Sequence, residues 1–296
     1  MRSGSRVAAH LILGTREEPF LAAMLDSIAD AAGMLLVNDN ARGESPHTAT
    51  LDASRFGKED RIVIDRTPFT GFAAARNVCL EMHARNEAGD WVMFVDADEV
   101  HGQPIAALAR HLSHVPGDYD FVDAYTWHFF GSFEYYTSIE RRMMFFRFDP
   151  QVRWEGDVHE RLTGLSGKRV ALPYVYGHYG HTLEPRRHAE KGRHYSSLGA
   201  PGEVLPEERL GDFDVAEYFS PVYPRLLKFV GKHPPAALKT LDFLAPHLRK
   251  EHELTKEIVN LQHVSVKVRN ALRRCNYEVR WRSRFMEPLS RRLMSA

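Results

Sequence analysis

Cysteine is scarce in this chain. Cys79 and Cys275 are the only two among 296 residues and stand far apart. They offer no disulfide framework and no thiolate zinc site, which fits a reducing, cytoplasmic setting. Charge of one sign is also lacking: Lys plus Arg and Asp plus Glu each number 39, so the formal net charge is zero. No global field points to nucleic acid. Long apolar runs are missing too, and none approaches the roughly 18 residues that a spanning helix needs. The opening "MRSGSRVAAHLILGTREE" has a short apolar run, no convincing cleavage site, and charges directly after it. It reads as a first strand rather than a signal peptide. Neither an internal repeat nor a low-complexity tract is present. What is there, 44% hydrophobic and 11% aromatic residues, is ordinary for a folded chain of one large domain or two modest ones.

The first hundred residues alternate. "RVAAHLILG", "GMLLVNDN", "RIVID" and "DWVMFVDADE" read as strands, and "EEPFLAAMLDSIADA" and "GFAAARNVCLEMHARN" as helices. In the first helix Phe20, Leu21, Met24, Leu25 and Ile28 recur at helical spacing. Strand–helix repetition with near-continuous apolar strands predicts an α/β fold, a Rossmann-like, mostly parallel sheet flanked by helices. Ligands of such sheets bind outside the carboxyl ends of the strands. Thr15-Arg16-Glu17, Asp39 and Asp96-Ala97-Asp98 are therefore expected along one edge. "DYDFVDAYTWHFF" and "RRMMFFRF" predict longer strands that extend the sheet in a mixed or antiparallel way. "EPRRHAEKGRHYSSLG" predicts a charged helix. Residues 1–200 are expected to form one α/β domain built on this sheet, and 201–296 a helical C-terminal extension.

The stretch "DWVMFVDADEV" raises a question. An apolar strand opens into Asp96, Asp98 and Glu99, and like charges packed together cost free energy unless a cation sits among them. That cation is a metal or a basic side chain, unless water screens the acids. Two carboxylates one residue apart can face one cavity once the strand becomes a loop, and hard oxygen ligands suit Mg2+ or Mn2+. A solvated acidic loop is the plain alternative.

"TREEPFLAAMLDSI", "VNDN", "GFAAARNVCLEMHA" and "DWVMFVDADE" occur in the order found in family 2-like glycosyltransferases of the GT-A fold. "RWEGDVHERL" and "GHYG" look like a subgroup with a His-Glu motif, and the resemblance covers roughly residues 6–197. It implies a GT-A-like sheet that binds a nucleotide-diphospho-sugar donor and a divalent metal, Mn2+ or Mg2+. It implies that Glu17 lies near the nucleoside and that Asp39 accepts hydrogen bonds from base or ribose. Arg76 would approach the nucleoside or diphosphate, with Asn77 supporting the turn. Asp96 would touch the ribose or a metal-bound water, and Asp98 would coordinate the metal. Where the family often shows a Gly-Ser-Thr-Asp-type turn after Asp39, this chain has "NARGESPHT".

An inverting transfer needs a group to take the acceptor hydroxyl's proton as that hydroxyl attacks. The resemblance places this base at Glu160, with His159 adjacent and Asp157 in reserve. Trp154 would stack on an acceptor sugar or sit in the core. A late histidine, His178 with His181 as fallback, would complete the metal site. Lys191 and Arg193 would clamp the diphosphate; His188 and His194 have no expected role. Basic residues interleaved with Val, Trp and Phe from Lys267 to Arg292 suit a peripheral membrane contact at the inner face, or a solvated appendage or oligomer contact. The acceptor, a glycan, lipid-linked or small molecule, is not legible. Two other readings stand beside the transferase: a nucleotidyltransferase, for which no Gly-rich, Lys-containing loop follows the first strand, and a non-catalytic nucleotide-sugar-binding or scaffold protein.

Overall fold

The computed structural model describes residues 6–41, 43–156, 160–197 and 214–286. The chain runs β1 (Val7–Leu13), α1 (Leu21–Ile28), β2 (Met34–Asp39), α2 (Thr48–Ala53), α3 (Arg55–Lys58), β3 (Ile62–Asp65), α4 (Phe72–Arg85) and β4 (Trp91–Phe94). A two-residue strand β5 (Glu99–Val100) and α5 (Pro104–His111) follow. Two long strands come next, β6 (Tyr119–Phe130) and β7 (Tyr135–Arg147). A small antiparallel pair, β8 (Arg153–Glu155) with β9 (Arg161–Thr163), separates them from the long β10 (Lys168–His181). The rest is α6 (Pro185–Ser197), α7 (Val215–Tyr218), β11 (Leu227–Lys228), α8 (Pro235–Leu244), α9 (Arg249–Asn260) and α10 (Val264–Arg282).

The main sheet has the order β3-β2-β1-β4-β7-β6-β10-β5, with β11 added against β7. From β3 to β4 all pairs are parallel. Both faces of β1, β2 and β4 are buried, because successive side chains point to opposite sides and each side is covered, while the edge strand β3 is half-buried. Ala8 and Leu36 pack with Cys79 and Met82 of α4. Ala9, Leu11, Leu35 and Val37 pack with Met24, Leu25 and Ile28 of α1. Beyond β4 the sheet turns mixed: β7 is antiparallel to β4 and β6, β10 is parallel to β6, and β5 is antiparallel to β10.

Three short helices, α2, α3 and α5, go beyond the sequence expectation, each too short to impose a long period. The C-terminal region is also less separate than its composition suggests. Its strand β11 pairs with Tyr135 and Tyr136 of β7. Ala237 and Leu241 of α8 and Leu248 share one buried cluster with Phe20, Phe129 and Tyr179. Phe20 stacks on Tyr179 at 4.7 Å and Phe129 on the same ring at 4.9 Å. Each such side chain contributes about 2 kcal/mol by burial, so α8 closes a core that the sheet cannot close alone. The expected boundary at residues 200 and 201 lies outside the described residues.

Candidate active site at the strand ends

Leu13 of β1 lies beside Asp39 of β2, and His10 beside Phe94 of β4, so these strands deliver their C-terminal loops to one edge. Asp39 is buried. Its Oδ1 accepts from the Ala41 amide at 3.2 Å, and its Oδ2 has no hydrogen-bond partner among the described residues. A buried carboxylate oxygen left unmatched costs free energy that a ligand donor would relieve. Glu17 lies in the β1–α1 loop with its side chain exposed, and Arg187 of α6 holds its backbone carbonyl at 2.8 Å.

The acids after β4 divide into two groups. Asp96 and Glu99 are bracketed by guanidiniums. Arg142 of β7 donates to Glu99 Oε1 at 2.7 Å and to Asp96 Oδ2 at 3.4 Å. Arg76 of α4 donates to Asp96 Oδ1 at 3.4 Å and, through Nε, to Glu160. The Asp96 amide and the Tyr176 hydroxyl donate to Glu99 as well. Burial pushes the Glu99 carboxyl upward; Arg142 opposes this, and Asp96 and Asp98 add to it. Arg142 is held firmly protonated by Glu99. The cations implied by the acidic stretch are therefore, for these two residues, arginines from elements distant in sequence.

Asp98 belongs to the second group. It is buried, and its Oδ1 lies 3.4 Å from Nε2 of His178. The antiparallel register places His178 opposite Glu99, and the Tyr179 amide donates to the Asp98 carbonyl at 2.9 Å. Gly180 leaves room for the carboxylate: a Cβ there would stand 2.1 Å from Asp98 Oδ2 and 3.3 Å from His178 Cε1.

On its other side His178 meets further imidazoles. His128, His178 and His181 offer ring nitrogens within 4.8 Å of one another. His128 and His178 are register partners on β6 and β10. His178 and His181 would face opposite sides of a regular strand, but a register shift between them aligns His181 with Phe130 and brings both rings to one side. Glu140 of β7 approaches His128 at 3.4 Å, and this contact leads in holding its carboxyl down to about 2. The three imidazoles form one group that could hold a divalent transition metal, and the Asp98 carboxylate adjoins that group at His178.

Asn77 clamps the rim. Its Nδ2 donates to the Trp154 carbonyl at 3.0 Å, and its Oδ1 accepts from the Trp154 amide at 2.8 Å. Trp154 is buried against Phe94 and Phe146, and the Arg76 guanidinium lies 4.1 Å over Phe94 and 5.5 Å over Trp154. Of the two expectations for Trp154, the core position is the one seen. Arg193 is half-buried on α6; the Lys191 side chain, Asp157 and His159 lie outside the described residues. Arg142, His128, Glu140 and Gly180 are site residues that sequence reasoning missed. The available signal was an Arg pair and a lone His inside strands otherwise rich in aromatic residues.

Residues 14–172 match the family model described as glycosyl transferase family 2. Among solved structures, the mannosyltransferase PcManGT from Pyrobaculum calidifontis, in complex with GDP-Man and Mn2+, is 16% identical with a TM-score of 0.45. That match covers 91% of this chain and 88% of the other. Glucosyl-3-phosphoglycerate synthase from Mycobacterium tuberculosis, in complex with Mn2+, UDP and glucosyl-3-phosphoglycerate, is 19% identical over 42% of this chain and 44% of its own, with a TM-score of 0.31. GalNAc-T7 with UDP, GalNAc and Mn2+ is 12% identical over 43% and 24%, with a TM-score of 0.33. No curated protein matches the chain.

Proposed function

This chain belongs to glycosyl transferase family 2 and is an enzyme of sugar transfer, and from that premise we propose a metal-dependent, inverting transfer from a nucleotide-diphospho-sugar to an acceptor hydroxyl. The observation that carries this reading is the buried pair Asp98 and His178 at 3.4 Å, set at the same sheet edge as Asp39.

Asp98 and His178 would hold Mn2+ or Mg2+, which, when bound, neutralises charge on the departing diphosphate. Asp39 Oδ2 accepts a hydrogen bond from the base or ribose, and Glu17 flanks the nucleoside. Asp96, fixed by Arg76 and Arg142, accepts from the ribose. Arg193, together with Lys191, would clamp the diphosphate. Glu160 takes the proton of the acceptor hydroxyl, whose oxygen bonds to the anomeric carbon as the bond to the diphosphate oxygen breaks and its electron pair leaves with the diphosphate. Attack from the opposite face inverts that carbon. The Arg76 ion pair keeps Glu160 aimed at the acceptor hydroxyl. His159 and Asp157 stand in reserve for that step.

A second feature favours peripheral membrane contact from the cytoplasmic side. Val264, Val268, Leu272 and Val279 of α10 are 55% to 68% exposed. At 100° per residue they form one stripe with Cys275, opposite the face that carries buried Asn270 and the partly buried Tyr277 and Trp281. Lys267 and Arg282 flank one side of the stripe, and Arg280 the other. That is the pattern of a helix lying in an anionic interface. No helix among the described residues is long and apolar enough to cross a membrane.

Thermal unfolding with UDP-, GDP- and dTDP-sugars, each with Mn2+, Mg2+ or EDTA, tests the main reading. One nucleotide class should raise Tm only with metal, by mass action on the native state, and Asp98→Asn should erase the shift. No shift with any donor would sink it. Binding without turnover would instead favour the scaffold reading.

A further inference from the structure

A cavity of about 810 Å³ opens beside the imidazole cluster, between β6, β7 and β10 on one side and residues 221–225 with α10 on the other. This volume lies in the range of about 300–1,000 Å³ typical of small-molecule sites. His128 and His181 form the wall it shares with the Asp98–His178 edge. Arg225, Arg269 and Arg273 form the opposite wall. Arg269 and Arg273 stand one turn apart on α10, where like charges repel.

Two of the guanidiniums are tied to the short backbone segment that carries the third arginine. Arg269 donates to the Pro224 carbonyl at 3.3 Å and Arg273 to the Arg225 carbonyl at 3.1 Å. Arg273 further holds the Thr137 carbonyl at 3.0 Å and the Tyr277 hydroxyl at 3.2 Å. Among the described residues none of the three is ion-paired to a carboxylate. The one acid among the described residues that line the cavity, Glu140, is engaged by Ser138 at 2.7 Å and by His128. Three cations collected in a concave wall without a counter-charge raise the local potential and concentrate anions there. Carbonyl contacts orient the forks but leave the charge unmatched, and guanidiniums arriving from two segments suit a tetrahedral oxyanion better than a single planar fork does.

We infer that this cavity is the acceptor subsite and that the acceptor carries a phosphate group, seated on Arg225, Arg269 and Arg273. The inference rests on the sugar-transfer reading for the word acceptor, but the anion site stands on the cavity alone. Its phosphate marks one end of the acceptor, and the His128–His181 wall leads the other end toward Asp98 and the donor. The region after β10 therefore selects the acceptor, while the strand ends select the donor.

The test measures binding of inorganic phosphate to the full chain in EDTA without nucleotide, and of UDP or GDP with Mn2+ in parallel. Arg225→Gln/Arg269→Gln removes two exposed guanidiniums whose contacts are at most one carbonyl each. Phosphate affinity should fall at least tenfold in the variant, with nucleoside diphosphate affinity unchanged. Equal losses for both ligands would assign the arginines to the donor and overturn the inference, as would phosphate binding that is absent or insensitive to the variant. If no nucleotide binds but phosphate still depends on the arginines, the transferase reading fails and the anion site survives. Glycerol phosphate and phosphatidic acid vesicles, run as competitors against phosphatidylcholine vesicles, separate a soluble acceptor from a lipid headgroup.

Discussion

His178 and Asp98 meet at 3.4 Å although they arrive from opposite directions, one on the last long strand and one in the loop after β4. Their contact depends on the absence of a side chain two residues beyond the histidine. Gly180→Ala would place a Cβ 2.1 Å from Asp98 Oδ2, and the carboxylate would have to swing away. Overpacking of this kind costs about 1–3 kcal/mol, so the protein stays folded. Metal-dependent activity should fall at least tenfold while Tm drops by only a few degrees. A variant with unchanged metal response would separate Asp98 from the metal.

Arg76 joins Glu160 to Asp96 across two elements. Arg76→Ala leaves two carboxylates facing each other, one of them largely buried, and breaking such a pair costs about 3 kcal/mol. Glu160→Gln in the Arg76→Ala background should recover part of that loss. A double-mutant cycle by urea denaturation reads the coupling; additive losses would mean that the ion pair contributes nothing net.

Much of this arrangement is legible in the amino-acid sequence. "VAAHLIL", "MLLVND" and "WVMF" are strands, because continuous apolar runs of that length suit a sheet covered on both faces. The same rule puts Asp39 and Asp98 on one edge. The neutralisation of Asp96 and Glu99 is not legible, since Arg142 reaches them only through the β4–β7 pairing. His181 ranks behind His178 on the "HYG" pattern of the resemblance, and period-two reasoning cannot foresee the register shift that turns it beside His178. Strand β11 escapes notice for a different reason: two residues carry no period.

His101 gives the fold an acid-sensitive element outside the site. It stacks against Tyr176 and beside Tyr174, and burial holds its imidazole down to about 3. Above the ordinary histidine value near 6.5 it is neutral in both folded and unfolded chains and contributes no pH dependence. Below that value the unfolded chain takes up a proton that the folded chain refuses, so stability falls as pH drops from about 6.5 toward 3, by up to about 1.4 kcal/mol per unit. His10 and His83, whose imidazoles burial also lowers, add loss of the same sign. His101→Phe keeps the stack and should flatten the slope of urea stability against pH between 6 and 4 by about one proton. An unchanged slope would place the acid sensitivity elsewhere.

The apolar stripe of α10 separates two uses of one helix. Its buried side, through Asn270, donates to the carbonyls of Pro224 and Leu226 at 3.2 and 3.1 Å and holds the helix to the fold. Its outer side spends none of Val264, Val268 or Leu272 on the core. Leu272→Glu therefore leaves stability within about 0.5 kcal/mol, as expected of a surface change. Co-sedimentation with vesicles containing anionic lipid should be strong for the native chain, weaken as salt screens the flanking arginines, and fall several-fold in Leu272→Glu. If the stripe instead pairs two copies of this chain, the same substitution will convert a dimer to a monomer by light scattering and leave vesicle binding unaltered.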